Sequence, residues 1–274
     1  MSDQTRRVGV VVVNYRSIDN VTSLLGSDTF ATVGQVVVVD NGDDPDAVTA
    51  LCNAHGALPV LLPANTGFAG GVNAGIRELT TDLVLLVNPD VSLGLDDLTV
   101  LIDAMEAASC DAVAPLLREP GGRLQVGSAG GPLSAWSFLA YFLFLSAWLP
   151  VRGLFLTRRQ SEAGGPVDWL CMACLLVRRD AFARFGPVPE DELVYGEDIA
   201  WGTRASAAGA RLELVSQVVV EHAHGASGAS SAWMASLDRL ARRRLNPASA
   251  IAARLAMRIG LLVRKSLGRR VSHR

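Results

Sequence analysis

The 274-residue chain predicts an α/β protein built on a Rossmann-like, doubly wound, mostly parallel sheet flanked by helices, and three features carry that expectation. The stretches "VGVVVVNY", "QVVVVDN", "ALPVLLP" and "DLVLLVNPD" are short, nearly continuous Val/Leu runs, the pattern of strands buried on both faces. The segments between them can be helical, which implies right-handed βαβ crossovers. The runs also end in polar residues, namely Asn14 and Tyr15, Asp40 and Asn41, and Asn88 and Asp90. Ligands of such sheets bind outside the carboxyl ends of the strands, so these residues are the first functional candidates.

In chain order, the first strand follows Arg6 and Arg7, and its apolar run from Val8 to Val13 is too short for a signal peptide. After the third strand comes "NTGFAGGVNAGI", a loop whose glycines at 67, 70, 71 and 75 are not spaced as G-x-G-x-x-G. A dinucleotide fingerprint belongs after the first strand, so a dehydrogenase is disfavoured. The loop allows close backbone approach to a phosphate at the start of a helix near Ala69, and equally a tight strand-to-helix turn. The fourth strand ends in "LLVNPDV", where Pro89 fixes a turn that can present Asp90 to a divalent cation holding a diphosphate.

Beyond Pro120 the text changes. Glycines 121 and 122 open a loop, and no charged residue occurs between Arg123 and Arg152. Residues 133–151, "LSAWSFLAYFLFLSAWLPV", are long enough to score as a membrane span. A single span would divide the strand ends from the acidic motif downstream, so a shallow interfacial insertion is expected, with a buried or oligomer-forming helix as the alternative. "VDWLCMACLLV" reads as a strand, Gly196 to Gly209 as a helix ended by glycine, and another strand starts at Arg211. In "YGEDIAW", Glu197 and Asp198 fall at that helix start, where carboxylates are common as caps, yet Asp198 is also a candidate general base. "EHAHGAS" ends the last strand with His222 and His224, either of which is a plausible ligand near a cation.

Charge is unevenly divided. From Asp238 to Arg274 there are eleven Arg/Lys against one Asp, which leaves the rest of the chain strongly acidic although the formal net charge is only −2. The tail carries Ile251, Leu255, Ile259, Leu262 and Val263 at helical spacing among arginines, so residues 1–237 are expected to form the main domain and 238–274 a basic amphipathic tail. An anionic membrane surface, a nucleic acid or plain packing would each suit such a tail. The four cysteines form no disulfide framework, which favours a reducing compartment, and Cys171 and Cys174, a CxxC inside an apolar run, read as core thiols.

In order and spacing, "VVVNYRS", "VVVVDNGD", "NTGFAGGVNAGI", "LLVNPDV", "DWLCMACLLVRRDAF", "YGEDIAWGTRA" and "HAHGAS" resemble the inverting glycosyltransferases of family 2, in particular their rhamnosyltransferase-like branch. The resemblance covers roughly Val8 to Ser227 and implies a GT-A fold. It implies that Asn14, Tyr15 and Asp40 hold the nucleoside; that Asn65, Gly67 and Asn73 line the nucleotide and donor sugar; and that Asn88 and Asp90 are the two positions of a DxD-type motif, Asp90 being the metal-binding acid. Asp198 matches the catalytic base beside Glu197, and His222, by its spacing to Gly225 and Ser227, the histidine near the diphosphate. Mg2+ or Mn2+ is the implied cofactor. The implied partners are a dTDP- or UDP-sugar donor, L-rhamnose being the sugar the branch suggests, and a glycan or polyprenyl-linked acceptor. A membrane surface and a second copy of the chain are further candidates, and no nucleic acid is implied. The expected location is cytoplasmic, on the inner face of the plasma membrane. Met172-Ala173, the "VPE" of Val188 to Glu190, and Ala200 depart from the family pattern and put acceptor recognition in doubt. A sugar nucleotidyltransferase lacks support because "NYRSIDN" is not a basic, glycine-rich loop, and a non-catalytic sugar-nucleotide-binding protein is the other alternative.

Overall fold

The computed structural model describes residues 4–191, 195–223 and 230–266. The strands are β1 (Val8–Asn14), β2 (Gln35–Asp40), β3 (Leu58–Leu61), β4 (Leu83–Val87), β5 (Val91–Ser92), β6 (Ala112–Arg118), β7 (Ala129–Gly130), β8 (Gly165–Val167), β9 (Trp169–Leu170), β10 (Cys174–Arg178) and β11 (Leu212–His222). The helices are α1 (Ile18–Leu25), α2 (Asp28–Ala31), α3 (Pro45–His55), α4 (Gly67–Glu78), α5 (Leu95–Ala107), α6 (Ala135–Phe142), α7 (Arg158–Ala163), α8 (Arg179–Phe185), α9 (Glu197–Ala207), α10 (Ser230–Arg244) and α11 (Pro247–Ser266).

Nine strands form the central sheet in the order β3-β2-β1-β4-β10-β6-β11-β5, with β8 added to β11, and β7 pairs with β9 in a small second sheet. Pairing is parallel from β3 through β2 and β1 to β4, and again between β6 and β11. Strand β10 lies antiparallel between β4 and β6, so all six of those strands run one way. Their carboxyl ends, and the amino end of β10, therefore meet at one edge.

The Val-rich runs are continuous because both faces are covered. Val10 and Val12 point into one core with Leu85, Leu98 and Ile102, while Val11 points into the other with Val39, Leu86 and Leu175. Local signals agree with the elements: Asp44 caps α3 by accepting from the Ala47 N–H at 3.0 Å, Pro45 is its first residue, and Gly56 ends it at φ 67°.

The glycines of "NTGFAGGVNAGI" serve helix packing. Gly67, at φ 79°, starts α4 two residues before the expected position, and a Cβ on Gly75 would lie 2.5 Å from a methyl of Val11 and 3.1 Å from one of Val39. The "VDWLCMACLLV" segment is not one strand: it divides into the end of β8, β9 and β10, with Cys171 to Ala173 crossing between them.

Residues 133–151 pack in part onto the protein, as in the buried-helix alternative, and leave Trp136, Trp148 and Leu149 exposed. They contribute α6, whose Phe138, Ala140 and Phe142 are buried, the two phenylalanines in a third core with Leu237, Leu240, Ala253, Ala256 and Met257 of α10 and α11. The reason is tertiary: the inner faces of the two C-terminal helices supply the apolar partner that the sequence leaves unspecified. The division expected at 237/238 falls inside α10. No helix among the described residues is long and apolar enough to cross a membrane.

Gly75→Ala should lower the urea midpoint by an amount equivalent to about 1–3 kcal/mol, through overpacking against Val11 and Val39. Gly26→Ala, whose added methyl meets only ordinary contacts beyond 3.4 Å or at it, should leave the midpoint nearly unchanged.

Candidate active site

The ends of β1 and β2 build the first wall. Asn14 and Asp40 are paired in register and both buried, and the Asn14 amide donates to Asp40 Oδ1 at 3.4 Å. Asn14 Oδ1 accepts from the Ser17 N–H and hydroxyl at 3.3 and 3.1 Å, and Asp40 accepts from the N–H groups of Asp43 and Asp44 at 3.2 Å, so each side chain fixes the turn beyond its strand. Asn41 reaches across to the next loop. Its Nδ2 donates to Asn65 Oδ1 at 3.2 Å and to the Gly67 carbonyl at 3.1 Å, and its Oδ1 accepts from the Thr66 N–H at 2.9 Å. Asn65 Oδ1 in turn accepts from the Gly67 N–H at 2.8 Å. Tyr15 stands at the rim, 41 % exposed, with the Arg16 guanidinium 5.2 Å from its ring centre.

Asn73 is set apart from this wall. Its amide donates at 2.8 Å to both the Val188 carbonyl and Glu190 Oε1, and its oxygen accepts from the Val188 N–H at 3.0 Å. It pins the "VPE" segment, so Glu190 is engaged in holding that loop.

A second group forms where β4, β5 and β11 meet. His222 pairs in register with Val91, which brings its ring beside the turn after β4. His222 Nε2 lies 3.4 Å from Asp90 Oδ1 and 3.4 Å from Asn88 Nδ2, and Nδ1 lies 2.9 Å from Gln125 Oε1. An amide oxygen at that distance takes the Nδ1 proton, which leaves the Nε2 lone pair facing Asp90 and Asn88. Among the described residues no group of three or more His, Cys, Asp or Glu converges, so a cation here would have Asp90 and His222, with the Asn88 amide, as its protein donors. His224 lies outside the described residues.

The acidic pair reaches the same edge through the Cys171–Ala173 crossing. The Asn88 N–H donates to the Ala173 carbonyl at 2.8 Å, and Cys174 is paired with Val87. Burial first, then the carboxylates of Asp198 and Glu197, push the Cys171 thiol well above its usual range, so those carboxylates lie close to it. Burial raises the Cys174 thiol as well, so both cysteines of this CxxC favour the neutral thiol. Glu197 is buried and Asp198 half-buried at the first turn of α9, entered through Tyr195 and Gly196 at φ 64° and 111°. Burial raises the Asp198 carboxyl to about 6, against the opposing effect of backbone N–H groups, among them that of Ile199 at 2.7 Å.

Packing fixes α9. A Cβ on Gly202 would lie 2.5 Å from that of Trp169, so only glycine lets the helix approach this closely. The Trp169 indole donates to the Leu154 carbonyl at 2.9 Å, and that of Trp201 to the Gly186 carbonyl at 2.9 Å. The departures from the family pattern are absorbed by this packing: Met172 is buried in the second core and Ala200 in the third.

Asn41 is among the strand-end candidates of the sequence, but its bridge to residues 65–67 depends on the neighbouring loop. Gln125 sits in an unremarkable stretch 97 residues from His222, and nothing local marks it.

Comparisons with known proteins bear on the family and the fold. The model of the family described as "Glycosyl transferase family 2" matches residues 11–184. The N-acetylglucosaminyl-diphospho-decaprenol L-rhamnosyltransferase of Mycobacterium tuberculosis is 30% identical over 220 residues, covering 73% of this chain and 70% of that one. The rhamnosyltransferase WbbL of Escherichia coli K12 is 23% identical over 216 residues, 76% of this chain and 80% of the other. In fold, the chain is similar to the mannosyltransferase PcManGT of Pyrobaculum calidifontis, solved with GDP-Man and Mn2+, with a TM-score of 0.59 and 19% identity over 95% of this chain and 75% of that one. It is also similar to S. aureus TarS 1-349, with a TM-score of 0.56 and 15% identity over 97% and 75% of the two chains. With a GT-A sheet, the family's match over most of its length and a rhamnosyltransferase relative at this identity, the chain belongs to glycosyl transferase family 2, in its rhamnosyltransferase-like part.

Proposed function

We propose that the chain transfers L-rhamnose, with inversion, from a nucleoside diphosphate donor, dTDP-rhamnose before a UDP-sugar, to a hydroxyl of a polyprenyl-diphosphate-linked glycan. The observation that carries this reading is the meeting of Asp90, Asn88 and His222 at the sheet edge that also receives Asp198. The Mycobacterium tuberculosis relative, an N-acetylglucosaminyl-diphospho-decaprenol L-rhamnosyltransferase, supports the sugar and the acceptor class.

A divalent cation, Mg2+ or Mn2+, suits the donor set. Adjacent ligands of an ion held at ~2.1 Å stand about 3 Å apart, close to the 3.4 Å between Asp90 Oδ1 and His222 Nε2. These protein donors would leave coordination positions for diphosphate oxygens, and a bound cation would offset the charge that develops on the leaving diphosphate. Asn14, Asp40, Asn65 and Gly67 offer a rigid wall for the nucleoside, with the Tyr15 ring at its rim. Asp198, ionised at neutral pH and poorly solvated, accepts the proton of the acceptor hydroxyl as its oxygen attacks the anomeric carbon from the side opposite the diphosphate. The glycosidic bond forms as the bond to the diphosphate breaks, and the configuration inverts. Gln125 orients the His222 ring, and Glu197 shares the acidic helix start. A donor-binding protein without turnover is the second reading, motivated by Met172, Pro189 and Ala200; the burial of Met172 and Ala200 in the cores argues against it.

Nucleoside diphosphate release from a panel of sugar nucleotides, with Mn2+ or EDTA and a polyprenyl-linked acceptor in detergent, tests the assignment. Metal-dependent release from one donor, dependent on acceptor, is expected; donor binding with no turnover under any acceptor would sink it. Asp198→Asn should lower kcat by about 100- to 10,000-fold. In the wild type, kcat/KM should rise with pH through about 6 as this carboxyl ionises.

The same group makes a prediction for stability. Its folded-state pKa, about 6, exceeds the unfolded value of about 4, so the folded chain binds the proton more tightly and loses stability as pH rises through that interval. Asp198→Asn removes the cost: its urea midpoint should exceed that of the wild type at pH 8, and the gap should close as pH falls toward 4. Gln125→Leu should weaken Mn2+ binding in the presence of nucleoside diphosphate by about 10- to 100-fold, read by the Mn2+ resonance signal, while Gln125→Glu, which still accepts from Nδ1, should retain binding.

A further inference from the structure

Helix α11 has two different faces. Ala253, Ala256, Met257 and Gly260 are buried, and α6 packs along this side. On the outside Ile251, Leu255, Ile259 and Leu262 are 64, 55, 40 and 68 % exposed. At 3.6 residues per turn these four fall within an arc of about 80° and span about 16 Å of helix, a continuous apolar stripe. The inner face already meets the core's requirement, so the stripe has no partner within the described residues.

Two further observations bear on its occupant. Exposed Arg258 lies on the border of the stripe, and the chain from Asp238 onward holds eleven Arg/Lys against one Asp, while the remainder is acidic. At the carboxyl end of the helix, Arg264 donates to the carbonyls of Phe142 at 3.3 Å and Tyr141 at 3.5 Å and lies 4.3 Å from the centre of the Phe144 ring. It thereby fastens the opposite face of α11 to α6, which keeps the stripe turned outward. An apolar stripe bordered by arginine has the chemistry of the boundary between lipid headgroups and acyl chains. A two-fold pairing of two copies through α11 would set Arg258 of one copy near that of the other, which like charge opposes.

We infer that the outer face of α11 docks the protein in the plane of an anionic lipid surface. The inference rests on the proposed lipid-linked acceptor for its purpose. α10 is joined to the acidic site: Leu240 packs against Gly196, and Arg243 and Arg244 both bind Asp191. Docking through α11 thus holds the Asp198 end of the molecule in a fixed relation to the bilayer, where an acceptor anchored in that bilayer presents its hydroxyl.

Flotation of the full chain with vesicles of phosphatidylcholine, with and without phosphatidylglycerol, tests this without any sugar nucleotide. The wild type should float with the anionic vesicles and lose binding as salt is raised. The double variant Leu255→Glu/Leu262→Glu and the single variant Arg258→Glu should each weaken binding by about tenfold or more, with unchanged circular dichroism and melting because all three side chains are exposed. Undiminished flotation of the double variant, or a wild type that stays out of the vesicle fraction, overturns the inference. A wild-type dimer that the double variant converts to a monomer, without effect on flotation, would name a second copy as the occupant and overturn it too. A chain that floats as expected yet turns over no donor upholds this surface and counts against the reaction alone.

Discussion

The site depends on the direction of the strands. Six strands of the central sheet point the same way, and β10 is inserted against them between β4 and β6. Because of that one reversal, the amino end of β10 lies at the edge where β1, β2, β4 and β11 finish. The Ala173 carbonyl can then accept from Asn88, and the Cys171–Ala173 crossing can link the turn after β4 to the start of α9. Register is equally constraining: His222 faces Val91 in an antiparallel pair, and a slip of one residue would turn its ring to the other face of the sheet, away from Asp90.

Desolvation is the second constraint, and packing imposes it. Gly202 lets α9 lie directly on Trp169, whose own indole is held by the Leu154 carbonyl, and Trp201 ties the opposite side to Gly186. Held so, Asp198 is poorly hydrated and its proton affinity rises toward neutrality, which makes it a stronger base than an exposed aspartate. Met172 and Ala200 contribute to the cores that hold this helix, so residues that break the family pattern in the sequence support the same site in the structure.

The acidic body and basic tail are not separate parts of the molecule. α10 and α11 close the third core over α6, Asp238 binds both Arg242 and Arg254, and Asp191 takes Arg243 and Arg244 from across the chain. The opposed charges thus meet at the contact between the helices and the loop that leads to the acidic pair, while the outer side of α11 is left apolar with a basic border.

The sequence by itself determined the sheet and the polar strand ends. A Val/Leu run buried on both faces has few alternatives, and residues after parallel strands must reach a common edge, so Asn14, Asp40, Asn88 and Asp90 could be named from position alone. The basic tail helix was legible for the same kind of reason, since a period of 3.6 is a local property. Contacts between distant segments were not legible. Nothing near Gln125 signals that it meets His222; nothing near Asn73 says that its amide is used by Val188 and Glu190; and the glycines of α4 resemble a phosphate loop until Val11 and Val39 are seen against them. The apolar run at 133–151 read as interfacial because hydropathy measures only how unwelcome water is. That protein replaces it around Phe138 and Phe142 was decided by α10 and α11, a hundred residues farther along the chain.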